Sequence, residues 1–197
     1  MAPSKANPTL RIDQNLIFYE GKYVLLKVLA EEDIMTSGWV GWFNDEKISQ
    51  HNTHHYFPNT YEKQLEYLKN CHGPSRISLG IINKNADEKI KGIVTLDNID
   101  LLHRNCEIAG ILTHDSKNRN PMIFFEAYSL MLRHAFEQLG LEKVYGSGFD
   151  VNLHEGLKRL FNFEQEGIKR RHFFKNGDFH DFISVAVFSD TIKYPNF

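Results

Sequence analysis

The chain is predicted to fold as one α+β (α/β) domain, with a mixed, mostly antiparallel twisted sheet flanked by helices. Three observations carry this reading. Three strand-length runs, residues 77–83, 90–100 and 105–113, follow one another in a meander, with an Asn- and Asp-containing turn at 84–88. The third run leads through a polar stretch, 114–120, into a helical period. Ile123, Ala127, Leu130, Met131, Ala135 and Leu139 recur at intervals of three or four, and Gly140 stops them. Two further runs, 164–175 and 178–189, turn at Asn176-Gly177, a strong hairpin signal. Strands first, with helices interposed, is an α+β pattern.

In chain order, residues 1–20 read as a loosely held N-terminal arm. Pro3 and Pro8 discourage regular structure, and Leu16-Ile17-Phe18 offers a short apolar anchor. The domain proper is expected over 21–197. Residues 23–28 form its first strand, and Glu31-Glu32-Asp33 opens a helix with the negative charge that its dipole favours. Trp39, Trp42 and Phe43 add aromatic bulk. Tyr61, Leu65 and Leu68 at helical spacing predict a helix over 59–70. After the long helix, 143–150 is a strand and 153–161 a short helix.

At 197 residues the chain is long enough for one well-buried domain and short for two. Its hydrophobic content of 42% and charged content of 24% are those of a globular protein. A net charge of −2 gives no general attraction for nucleic acid or an anionic membrane. No apolar run reaches bilayer length and residues 1–7 lack a signal-peptide core, so a cytoplasmic location is expected. Cys71 and Cys106 lack the paired spacing of a zinc site and read as reduced thiols.

The stretch from 107 to 139 organises the functional reading. A strand running into a helix N-terminus gathers backbone N–H groups at the positive end of the helix dipole, a seat for phosphate. A phosphate-bearing co-substrate is the expectation.

Four segments in this order resemble the GNAT superfamily of acetyl-CoA-dependent N-acetyltransferases, closest to the branches that acetylate ribosomal-protein N-termini or nucleotide-linked amino sugars. They are YVLLKVLAEEDIMTSGWVGWFNDEKI, IKGIVTLDNIDLLHRNCEIAGIL, HAFEQLGLEKVYGSGFDVN and FNFEQEGIKRRHFFKNGDFHDFISVAVF. The resemblance implies transfer of an acetyl group from acetyl-CoA to a primary amine, in a small molecule or a protein, with no metal, and it leaves room for a homodimer. One departure stands out. Arg119-Asn120-Pro121-Met122-Ile123-Phe124 occupies the place where the family carries two small residues that let the backbone approach a pyrophosphate. Asn162 likewise replaces the glycine of a Gly-Phe pair.

Acetyl transfer needs a neutral amine, a proton acceptor, donors to the thioester carbonyl and a proton for the leaving thiolate. The resemblance implies Glu107 as the base; the plainer reading is a hairpin carboxylate paired with Arg104 or a lysine. It implies coenzyme contacts from Ile111, Leu112 and Thr113 along the strand. Further contacts are expected from Arg119, Asn120, Met122, Ile123 and Phe124 at the helix start, and from Asn152 after the later strand. Lys158 falls where a tyrosine acid often stands. His154 is the group that fits an acid by its chemistry, its alternative being an exposed helix-start histidine. Trp42, His54, His55 and Tyr56 are expected at the acceptor; a polar, aromatic loop is the alternative for the last three, and it is preferred over a metal site. A non-catalytic GNAT-fold module that has lost acetyl-CoA binding is the second functional class, and it requires Met122, Phe124 and Phe125 to fill the coenzyme groove.

Overall fold

The computed structural model describes residues 12–50, 52, 54–87, 89–112 and 121–197. Its strands are β1 (Ile17–Glu20), β2 (Val24–Val28), β3 (His72–Gly73), β4 (Arg76–Asn83), β5 (Ile90–Asp100), β6 (Asn105–Leu112), β7 (Lys143–Gly148), β8 (Glu164–Lys175) and β9 (Asp178–Phe188). Its helices are α1 (Glu31–Thr36), α2 (Trp39–Trp42), α3 (Glu46–Ser49), α4 (Tyr61–Lys69), α5 (Pro121–Arg133) and α6 (Val151–Phe161). The sheet runs β1-β2-β4-β5-β6-β7-β9-β8, with β3 paired to β4. Its neighbours pair antiparallel except β6 and β7, which are parallel.

Alternate residues of the central strands face opposite layers, as the pleat requires. Leu79 and Ile81 of β4 and Val94 and Leu96 of β5 face α5, where Ile123, Ala127, Met131 and Ala135 are buried as their spacing predicts. Burying Ile123, Met131 and Leu132 contributes roughly 1.5–3 kcal/mol each. Ile82, Ile90 and Ile93 face the other way, onto Leu29, Ile34, Trp39 and Trp42. Pro121 occupies the first position of α5, where its missing N–H costs nothing. A π-helical turn, His134–Gln138, closes that helix before Gly140 at φ +63°.

Residues 17–20, which the sequence places at the end of an arm, instead form β1, an edge strand paired with β2. The cause lies in α5. The buried Glu126 carboxylate accepts the backbone N–H groups of Lys22, Tyr23 and Val24 at 2.6, 2.7 and 3.0 Å, fixing the turn between the two strands. A Cβ at Gly21 would lie 2.7 Å from that carboxyl carbon, so the turn needs glycine. Asn162 closes α6 at φ +67°, the left-handed conformation that a glycine would otherwise take. The acidic start of α1 is in place, with Asp33 bonded to the Ala30 N–H at 2.8 Å and paired with Lys27 at 2.6 Å.

Candidate functional site

β6 and β7 pair only at their first three residues, Asn105–Glu107 against Lys143–Tyr145. β6 then continues to Leu112 and β7 to Gly148 without pairing to each other. The strands splay into a V with Glu107 at its vertex. Ala109 and Gly110 are exposed on the freed arm, and a cavity of ≈ 1620 Å³ opens along it. Both strands line it, together with the start of α5, α6 and parts of residues 43–67.

Glu107 is half-buried and lines this cavity. Burial raises its pKa and the charge of Asp97 adds to the rise, while a 3.1 Å hydrogen bond from Asn98 Nδ2 opposes it. The alternative pairing with Arg104 is not formed. Arg104 donates to the Gly140 carbonyl through Nε and Nη2, at 2.8 and 2.6 Å. The Glu107 carboxyl is therefore a buried-leaning group facing the cleft.

His154 also lines the cavity, from the first turn of α6. It is 8% exposed, which corrects the reading of an exposed helix-start residue. Asp150 caps the helix through the N–H groups of Asn152 and Leu153, and so aims this turn at the cleft. His154 Nδ1 is buried with no hydrogen-bond partner among the described residues. Burial lowers its pKa against the raising effects of Asp150 and Glu155. Burial thus favours the neutral ring. Asn152 is exposed beside it on the cavity wall.

The expected coenzyme contacts divide. Ile111 and Phe124 line the cavity. Leu112 pairs through its backbone with Gly92. Ile123 points into the core at 4% exposure, because it lies on the apolar stripe of α5, and Met122 is half-buried off the cavity wall. Thr113, Arg119 and Asn120 lie outside the described residues. Phe124 packs on Tyr128 with ring centroids 4.4 Å apart and planes tilted by 34°, and it lies against Gly110, while Phe125 lies against Gly156. Both rings are packed onto a glycine of the opposing element, and they form the wall of the cavity.

Of the residues expected at the acceptor, His54, His55 and Tyr56 line the cavity from a non-helical loop. Trp42 does not reach it. At 7% exposure it belongs to the second core, and Phe43 lines the cavity in its place. His54 sits edge-on to Phe43 at 4.4 Å; desolvation lowers its pKa and the Lys175 charge lowers it further. Among the described residues no group of three or more His, Cys, Asp or Glu is arranged to hold a metal.

Several site residues escape the sequence reading. Asn98 sits at φ +51° in β5, a conformation that asparagine tolerates, and that turns its amide onto Glu107. Tyr67 bonds Ser78 Oγ at 2.9 Å, Thr95 bonds the same atom at 3.0 Å, and both Tyr67 and Thr95 line the cavity. Phe149, Phe173 and Phe182 line it from β7's end and the terminal hairpin. The density of aromatics in HFFKNGDFHDF signalled Phe173 and Phe182, and nothing local marked Phe149.

No protein-family model and no curated protein sequence matches the chain. Solved structures do. The spermidine N-acetyltransferase of Vibrio cholerae, solved with CoA and spermine, superposes with TM-score 0.71 at 20% identity, over 87% of this chain and 98% of that one. The ribosomal-protein-S5-alanine acetyltransferase of Vibrio fischeri gives 0.71 at 18%, over 89% and 98%. A GCN5-related N-acetyltransferase of Brucella melitensis gives 0.65 at 23%, over 88% and 79%. The chain has the fold of these acetyltransferases, the GNAT fold, with a single mixed sheet open between its two parallel strands.

Proposed function

We propose that the protein is an N-acetyltransferase that moves an acetyl group from acetyl-CoA to a primary amine. The observation that carries this is the splay of β6 from β7 beyond Glu107. It leaves the backbone groups of 108–112 without a β7 partner on the cleft side, beside a helix start and a carboxyl of raised pKa. An amide-bearing ligand arm laid in the V satisfies those groups as a strand would. Ile111, Leu112 and Phe124 would hold that arm, and Asn152 and His154 would face it from α6. The cavity exceeds the usual range for a drug-sized ligand, roughly 300–1,000 Å³, and has room for a coenzyme arm and an acceptor together.

Acetyl-CoA supplies an activated thioester. The chain's residues do the rest. Glu107, its basicity raised by burial, takes the proton from the incoming ammonium and leaves a neutral amine to attack. Neutral His154 holds an N–H near the leaving sulfur, which departs as a thiolate and gains one proton as the amide nitrogen loses one. Holding both reactants in one cleft supplies much of the rate. The branches that the sequence resembles suggest an amine on a nucleotide-linked sugar or at a protein N-terminus. A fold kept without its coenzyme would require Phe124 and Phe125 to fill the groove. They pack against Gly110 and Gly156 and leave the cavity beside them.

Calorimetric titration with acetyl-CoA tests the reading. Saturable binding at micromolar to submillimolar levels is expected, and Glu107→Gln should lower turnover by about 10²–10⁴-fold while leaving that binding intact. No detectable binding of acetyl-CoA would defeat it.

A further inference from the structure

Resting on the acetyltransferase reading, the geometry points to the class of acceptor: an amine borne on a body with a planar ring, in preference to a polyamine or a folded protein's N-terminus. Three independent features of the cleft carry this.

The first is the composition of its acceptor walls. Phe149, Phe173 and Phe182 line one side as a continuous cluster, with ring centroids 5.6 Å apart for Phe149–Phe173 and 4.8 Å for Phe173–Phe182. His180 stacks on the far member, Phe149, at 5.1 Å and 24°. Phe43 and Tyr56 line the same cavity from the other segment. A ring placed between such walls gains offset or edge-to-face contacts that a flexible aliphatic chain does not make, and it loses less conformational freedom on binding.

The second is charge. A polyamine carries several ammonium groups that need carboxylates. The described lining offers Glu107, at the reacting position, and Asp150, whose carboxylate already caps α6. Two lysines, Lys47 and Lys63, line the same cavity and repel a polycation.

The third is enclosure. The 54–58 loop and the terminal hairpin, which both line the cavity, are tied to one another. Tyr56 Oη donates to the Phe174 carbonyl at 2.8 Å. Lys175, 4% exposed, donates Nζ to the His54 carbonyl and lies 4.6 Å from the centre of the Tyr56 ring. These contacts join the two aromatic walls, and a small molecule fits such an enclosure more readily than the end of a folded protein.

The test is an acetyl-transfer assay on the full chain with tryptamine, hexylamine, spermidine and an alanyl-terminated protein. It is run beside saturation-transfer NMR of the same amines, with and without acetyl-CoA. Tryptamine is expected to bind saturably and to exceed hexylamine and spermidine in kcat/KM by about tenfold or more. Phe149→Leu and Phe173→Leu should each raise the KM for tryptamine with kcat nearly unchanged. Equal or better use of spermidine, of hexylamine or of the protein terminus would overturn the inference, as would variants with an unaltered KM or no saturable tryptamine signal in NMR. Acetyl-CoA calorimetry separates the two levels. If acetyl-CoA binds and spermidine is preferred, only the acceptor class falls; if acetyl-CoA does not bind, the enzymatic reading falls with it.

Discussion

Asn98 donates its side-chain amide to Glu107 Oε2 at 3.1 Å, and this bond favours the ionised carboxylate where burial and the Asp97 charge disfavour it. Asn98 stands at φ +51°, so glycine replaces it without backbone strain. In Asn98→Gly the opposing influence is gone, and the pKa of Glu107 is expected to rise further. The acid limb of the pH–rate profile then moves to higher pH, and ¹³C NMR of the Glu107 carboxyl reports the same displacement. A limb that stays in place would separate Glu107 from the rate-controlling ionisation.

If Glu107 is the proposed base, the same raised pKa sets a trade between stability and activity. The folded state holds the Glu107 proton more tightly than the unfolded chain, whose carboxyl titrates near 4.5. Its stabilising contribution is therefore complete below that value and is lost as pH rises through the folded-state pKa. Above the folded-state pKa the ionised group no longer contributes it. Glu107→Gln, inactive or nearly so, is expected to melt above the wild type at pH 7 and close to it at pH 4. Parallel thermal melts decide this, and a Tm lowered at pH 7 would show that the carboxylate supports the fold.

What the sequence made legible follows from how far its signals act. β4, β5 and the terminal hairpin end within a residue or two of their predicted bounds, because alternation and the Asn176-Gly177 turn are local. Glu107 is read as a candidate from resemblance alone, since nothing local distinguishes it from any strand carboxylate. β1 was missed because its pairing depends on Glu126, more than a hundred residues away. Trp42 was misplaced because aromatic bulk near a cleft and aromatic bulk in a core read alike until the helix orientation is known. The aromatic wall from Phe149, Phe173 and Phe182 comes from three segments, the end of β7, β8 and β9, that the sheet brings together.

Gly156 and Phe125 offer a test of how closely α5 and α6 pack beside the cleft. A Cβ at Gly156 would lie 2.6 Å from Phe125 Cζ, too close for the ring to stay. In an open helix Gly→Ala gains about 1 kcal/mol. Here Gly156→Ala is expected to cost about 1–3 kcal/mol through overpacking instead. Phe125→Leu withdraws the ring tip, so the double variant should recover much of that loss. Urea denaturation of the four proteins gives the coupling energy; strict additivity would mean that ring and glycine do not bear on each other.

Glu126 links the start of the chain to the helix at the site. Its carboxylate, in a residue 4% exposed, receives three backbone N–H groups from Lys22, Tyr23 and Val24, and β1 pairs with β2 across the turn so formed. Glu126→Ala leaves those donors, of which the Val24 N–H is buried, without an acceptor, at about 1–3 kcal/mol for each that water does not reach. A loss of roughly 3 kcal/mol or more is expected in denaturant titration. Glu126→Gln keeps one acceptor oxygen and brings an NH₂ group to face a donor, so it should fall between the two. Hydrogen exchange locates the effect, with protection lost first at Lys22–Val24 and along β1. Because α5 also carries Phe124 to the cleft, a variant that melts β1 yet binds acetyl-CoA as before would show that the turn secures the sheet edge and leaves the helix start in place.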